Sequence, residues 1–203
     1  MKRTLLTILV IAVFSILCTQ SCKKKSSSDD NTTTPPTTTV ICDGNGSSDY
    51  YPLAQSNSWY YTDGGTNSFT NSISGTSVYS SNTYLVVNST LGGTQYLRKA
   101  TSGDVMSYST SNSAEYLFIP ASPTVGQSWT YNLEFAATRK VISTNASFTT
   151  SSCSYTGLLK LQNFGSDGSA MSVFYYKKGV GMISTDQIWS GYVVTNLKTV
   201  SLH

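Results

Sequence analysis

The stretch Ser128-Trp129-Thr130-Tyr131-Asn132-Leu133-Glu134-Phe135 alternates polar and apolar side chains without a break. Trp129, Tyr131, Leu133 and Phe135 fall on one face, and Ser128, Thr130, Asn132 and Glu134 on the other. Successive side chains of a strand point to opposite faces, so this pattern is that of a half-buried β-strand. Outward from it, Trp59 to Thr62, Tyr84 to Asn88, Gln95 to Lys99, Val105 to Ser109, Glu115 to Ile119, Leu158 to Gln162, Met171 to Lys178 and Tyr192 to Leu202 read as further strands. Most are separated by residues that accept positive φ or cap a tight turn: Asp63-Gly64-Gly65, Leu91-Gly92-Gly93, Ser102-Gly103-Asp104 and Asp167-Gly168. Ser, Thr, Tyr, Val and Asn dominate while Glu, Ala and Lys are scarce, which favours pleated surfaces; a helix stays open only around Glu134 to Ile142. The expected fold is all-β: a single antiparallel sheet domain, either a curved open barrel or a sandwich, with Tyr and Trp filling its interior.

A faint internal echo runs through the domain. Tyr51-Pro52-Leu53 precedes Ser58-Trp59-Tyr60-Tyr61, and Ile119-Pro120 with Pro123 precedes Ser128-Trp129-Thr130-Tyr131, offset by 70 residues. Proline outside a strand costs no ladder hydrogen bond, and the Trp that follows anchors the strand's start in the core. The competing use of these tryptophans is an exposed aromatic platform for a ligand. Tyr51-Pro52-Leu53, Asn57-Ser58-Trp59-Tyr60-Tyr61, Val125-Gly126-Gln127-Ser128-Trp129-Thr130-Tyr131 and Tyr176-Lys177-Lys178-Gly179-Val180-Gly181-Met182-Ile183 resemble a functionally uncharacterised family of β-rich outer-membrane lipoproteins of Bacteroidota type. The resemblance implies a curved antiparallel sheet and brings no catalytic residues. Where that pattern commonly has Val-Gly before the first Trp, this chain has Gln55-Ser56, so a different turn is expected there.

The N-terminus reads as an export signal. Lys2 and Arg3 precede an apolar run from Leu5 to Leu17, which is short for a membrane-spanning helix of about 20 residues but suits a signal peptide. Ser21-Cys22 closes the run and resembles a bacterial lipobox, with Thr19 where Leu is common and Cys18 as a competing cysteine behind the bulkier Leu17. The expected organisation is a signal peptide over 1–21, a lipidated Cys22 with a Ser/Thr/Pro-rich tether over 22–40, and a β domain over 41–203. Acyl chains on Cys22 would bury dozens of methylenes at about 0.8 kcal/mol each and anchor the protein durably. The tether contains Lys23-Lys24-Lys25 and then no apolar side chain from Ser26 to Thr39, so nothing offsets the entropy of ordering it. By resemblance to lipoprotein sorting, Lys after the lipid cysteine implies the outer membrane; its periplasmic and surface faces both stay open.

Composition excludes more than it assigns. The whole chain carries a formal +3, but residues 41–203 hold eight basic and eight acidic side chains, so no basic patch exists for nucleic acid. The one histidine is the terminal His203, which removes Ser-His-Asp and Cys-His nucleophile systems, H-E-x-x-H zinc sites and multi-histidine metal sites. No cofactor motif is present: Lys177-Lys178-Gly179-Val180-Gly181 has the wrong glycine spacing for a nucleotide loop and reads as a hairpin turn. With Cys18 removed and Cys22 lipidated, Cys42 and Cys153 are left as a pair in an oxidising compartment, either bridged or as two free thiols.

Three further chemistries remain. Asp43, Asn45 and Asp49 could offer oxygen ligands to Ca²⁺, although Ser48 stands where an EF-hand needs Gly and no closing Glu follows; a plain turn is the alternative. Glu115 and Glu134 could serve a carboxylate-only glycosidase, or simply be solvated. A half-open barrel lined by residues such as Leu85, Leu133, Leu161 and Val173 could carry an apolar ligand. The expected role is that of a lipid-anchored cell-envelope protein, not an enzyme, with a binding or assembly function. Its partners would be the membrane, through the anchor, and a glycan or envelope protein met by exposed Tyr residues. The carrier is the alternative.

Overall fold

A computed structural model describes residues 42–133, 136–188 and 193–203. Twelve strands follow one another: β1 (Ser58–Thr62), β2 (Ser68–Tyr79), β3 (Asn82–Ser89), β4 (Thr94–Lys99), β5 (Val105–Ser109), β6 (Ala114–Ile119), β7 (Ser128–Leu133), β8 (Ala136–Thr149), β9 (Ser154–Phe164), β10 (Ala170–Lys177), β11 (Gly181–Gln187) and β12 (Val193–Ser201). They form one sheet in the order β6-β5-β4-β3-β2-β1-β12-β11-β10-β9-β8-β7, with every pairing antiparallel. No α-helix occurs among the described residues.

The sheet curls into a nearly closed barrel rather than splitting into a sandwich. Its first and last strands pair in the middle of the order, and the edges are two strands adjacent in sequence, β6 and β7. Side chains bridge this seam where a ladder would otherwise run: Trp129 Nε1 donates to Leu117 O at 2.7 Å, and Arg139 Nη1 to Phe118 O at 3.1 Å. Bulges at Tyr60/Tyr61, Ile73/Gly75, Val105/Met106 and Tyr175/Tyr176 bend the strands as closure requires. Alternation decides the faces. Trp59 and Tyr61 are fully buried inside β1 while Tyr60 between them is 38% exposed, and in β7 Tyr131 is buried next to the exposed Thr130.

The 70-residue echo is a repeated turn. Before β1, Ser56 N donates to Ile73 O, Ile73 N to Asn57 O and Asn57 N to Ala54 O; before β7, Gly126 N donates to Val141 O, Val141 N to Gln127 O and Gln127 N to Thr124 O. Ser56 takes a left-handed φ of 72° where its counterpart Gly126 has 88°, so the turn is kept despite the missing glycine. Each copy opens one six-strand half. One half-boundary, β12 to β1, is sealed by a ladder; the other, β6 to β7, is not.

Three strands depart from the sequence reading. Ala136 to Ile142, where a helix stayed open, belongs to the 14-residue strand β8. β2 and β11 were not anticipated, because their inward positions carry Asn71, Thr185 and Gln187 beside apolar residues and blur the period-two signal.

In an antiparallel meander all turns after even-numbered strands lie at one end, together with the start of β1 and the end of β12. Residues 42–57 cover that end. Gly179 N donates to Asp49 O at 2.8 Å, Asn45 N to Gly179 O at 3.2 Å, and Asn57 Nδ2 to Pro52 O at 2.9 Å, while the backbone N of His203 donates to Asn57 Oδ1 at 2.8 Å. A disulfide joins Cys42 to Cys153, with Cα atoms 5.6 Å apart. Tyr51 inserts its buried ring between Trp59 and Phe118, with centroids 5.2 and 5.9 Å away. Trp59 Nε1 in turn donates to Val180 O at 2.6 Å, and Tyr61 Oη to Met182 O at 3.1 Å. Each fully buried aromatic contributes about 2 to 3 kcal/mol before entropy is counted, so this end holds much of the domain's core.

Candidate ligand site inside the barrel

Above the Tyr51 plug lies a cavity of about 430 Å³. Strand register sets three rows of inward side chains on one side of the barrel, of which Arg139, Gln187, Phe174, Thr185, Tyr176 and Met182 line the cavity. The row farthest from the plug sets Arg139 opposite Asn163, Asn163 opposite Ser172 and Ser172 opposite Gln187. The next row toward the plug is Val141, Leu161, Phe174 and Thr185, and the third contains Leu159, Tyr176 and Met182. The opposite wall comes from β2 to β4 through Phe69, Asn71, Val87 and Gln95, and the rim is the β3–β4 turn, whose Leu91 is 71% exposed.

Arg139 is the one charged side chain among the residues lining this cavity, and it is only 1% exposed. Its guanidinium carbon sits 3.7 Å from the Tyr131 ring centroid, 4.9 Å from that of Phe118 and 5.0 Å from that of Phe174. Nε donates to Asn163 Oδ1 at 2.7 Å and Nη1 to Phe118 O. The described ion pairs are Arg98–Glu115 and Lys99–Asp49, so no described carboxylate neutralises Arg139. A buried lone cation loses several kcal/mol of hydration, of which desolvated ring faces return about 2 kcal/mol and the two neutral acceptors a further part. The phenols nearby add no charge. Burial, reinforced by Tyr176, pushes the Tyr51 hydroxyl far above its ordinary value, and burial with Tyr51, Tyr176 and Tyr155 does the same for Tyr61.

The residues singled out from sequence lie elsewhere. Asn45 Oδ1 accepts from Ser47 N at 3.1 Å, and Asp49 Oδ1 is held by Lys99 Nζ at 2.6 Å. Among the described residues no three His, Cys, Asp or Glu side chains, Asp43 and Asp49 included, gather as a metal site. Glu115 is on the outer face, gripped by Arg98 Nε at 2.6 Å, Arg98 Nη2 at 2.8 Å and Tyr84 Oη at 2.6 Å. Burial alone would raise its pKa, but these bonds and the Arg98 charge outweigh burial and hold it below the ordinary range. A glycosidase acid needs the opposite shift. Glu134 and Cys22 lie outside the described residues.

Leu161 and Val173 are packed in the structure but do not line the cavity, Leu85 is half-buried against the core, and the side chain of Leu133 lies outside the described ones. The wall is aromatic and polar where an aliphatic one was expected. Outer tyrosines pack mainly on each other: Tyr79 stacks on Tyr108 at 4.6 Å, and Tyr84 is buried between them and Arg98. Sequence reasoning missed Arg139 because it stood in the segment left open as a helix. In strand phase with Val141, it would have read as an inward-pointing cation.

No protein-family model matches the sequence, and neither does any curated protein. Among solved structures, a candidate exported protein with a YmcC-like fold from Bacteroides fragilis is similar, with 12% identity and a TM-score of 0.45 over 75% of this chain and 98% of that one.

Proposed function

We propose that this chain is a cell-envelope binding protein that holds a small, largely apolar ligand inside its open barrel and is tethered to the outer membrane through acylated Cys22. One observation carries the reading: a cavity of about 430 Å³ whose wall combines aromatic rings with a buried guanidinium. Small-molecule sites occupy about 300 to 1,000 Å³ and are mostly apolar with a few placed polar groups. The Tyr51 plug closes one end of the barrel beneath the cavity, which suits holding a molecule better than conducting it.

The role without bond chemistry, preferred from the sequence, is compatible with this cavity. The sole histidine is terminal, and Glu115 is locked in an ion pair on the outer face. The export signal, lipobox and tether support the envelope location.

Native mass spectrometry of protein purified from envelopes in mild detergent tests both halves. The expected spectrum shows acyl chains on Cys22 and one retained small molecule per chain. Saturation experiments with apolar fluorophores that find no single site would remove the carrier reading, and an unmodified Cys22 would remove the anchor.

A further inference from the structure

Building on the carrier reading, we propose that the occupant is an amphiphile with a single negative charge, an apolar chain or ring system whose carboxylate head is taken by Arg139. The charge of Arg139 has no described counter-ion, and both of its hydrogen-bond acceptors, Asn163 Oδ1 and Phe118 O, are neutral. They fix the guanidinium without neutralising it. With Nε and one N–H of Nη1 engaged, the remaining N–H groups at the outer edge of the guanidinium are the donors that a flat carboxylate head would take.

The number of charges sets the class. With no second cationic side chain in the lining, one negative charge is balanced, whereas a phosphate monoester would bring surplus negative charge into a low-dielectric wall. The surroundings set the rest of the molecule. From Arg139 toward the plug the lining is Phe174, Tyr176, Met182 and Tyr51, and across from it lies Val87. Met182 adds an adaptable surface for an alkyl chain. The carboxylate head is thus placed at Arg139 and the apolar part of the molecule against the rings that surround it.

Titration of the purified protein with dodecanoate, dodecanol and dodecyl phosphate, followed by calorimetry, tests this. Dodecanoate is expected to bind at one site at least about tenfold more tightly than either of the others, the size of one modest charge-assisted contact. Asn163→Asp places a carboxylate of the same shape 2.7 Å from Arg139 Nε, a built-in counter-ion, and is expected to bring dodecanoate within about threefold of dodecanol. Equal affinity of the wild type for acid and alcohol overturns the proposal and leaves the carrier reading standing, as does a preference that survives Asn163→Asp. Phosphate binding as tight as the acid overturns the carboxylate assignment. If none of the three binds, the carrier reading itself fails. Should Asn163→Asp not fold, the three wild-type affinities still decide.

Discussion

Removing the Cys42–Cys153 disulfide is expected to destabilise the domain by nearly 5 kcal/mol. The bridged residues are 111 apart in sequence, and in the chain-entropy model closing a loop of that size in the denatured state costs about 16 cal/mol/K, or about 4.8 kcal/mol at 25 °C. For a domain of this size, each kcal/mol is worth about 2 to 4 °C in Tm, so a fall of roughly 10 to 19 °C is expected. The native contacts around the bridge do not depend on it: Gly179 N to Asp49 O, Asn57 Nδ2 to Pro52 O and the Tyr51 ring packing lie further along the same segment. The full effect therefore requires residues 42–57 to unfold together with the barrel. Equilibrium urea denaturation of the oxidised protein and of the double Cys→Ser variant, monitored by Trp fluorescence and far-UV circular dichroism, measures it. A loss under about 1 kcal/mol, or separate transitions by the two probes, would mean that the plug detaches while the barrel persists, contrary to this expectation.

Gly181→Ala should be severely destabilising, by more than about 2 kcal/mol, because a left-handed backbone costs a non-glycine residue about 1 to 2 kcal/mol and the added Cβ would lie 2.7 Å from Trp59 Nε1, inside the fully buried ring's packing; thermal unfolding checks it. Glu115→Gln should flatten the acid limb of the stability curve. The carboxyl's folded pKa is depressed, so its contribution is complete above the unfolded value near 4.5 and vanishes as pH falls through the lower folded value; urea midpoints from pH 6 to 3 report it. At the alkaline end the raised values of Tyr51 and Tyr61 give the opposite sign, with stability complete below pH about 10 and lost as pH rises beyond it. Phenolate absorbance should then show two tyrosines ionising only as the protein unfolds.

The barrel was legible wherever inward positions were apolar. Trp129 and Tyr131 in β7, Trp59 and Tyr61 in β1, and the Gly-containing turns after β1, β3, β4 and β9 all followed from period-two alternation and turn chemistry. The unsealed seam did not, since it depends on long-range donors, Trp129 Nε1 and Arg139 Nη1, meeting carbonyls of β6. The cavity was hidden for a related reason. Its lining mixes polar groups with apolar ones, and Arg139, Asn71, Thr185 and Gln187 interrupt the pattern by which β8, β2 and β11 would have been recognised. The strands that were read in advance, β3, β4, β6, β7 and β10, contribute Val87, Gln95, Phe118, Tyr131 and Phe174 to the same cavity, because their inward positions stay apolar or aromatic often enough to keep the alternation visible.

The occupant proposed for this barrel is an amphiphile whose carboxylate seats at Arg139. Carbon-13 NMR of carboxyl-labelled dodecanoate bound to the protein, titrated from pH 8 to 3, tests it most directly. Beside an uncompensated guanidinium the bound carboxyl should stay ionised to at least about one pH unit below the free acid. A bound carboxyl titrating at or above the free value would contradict the account.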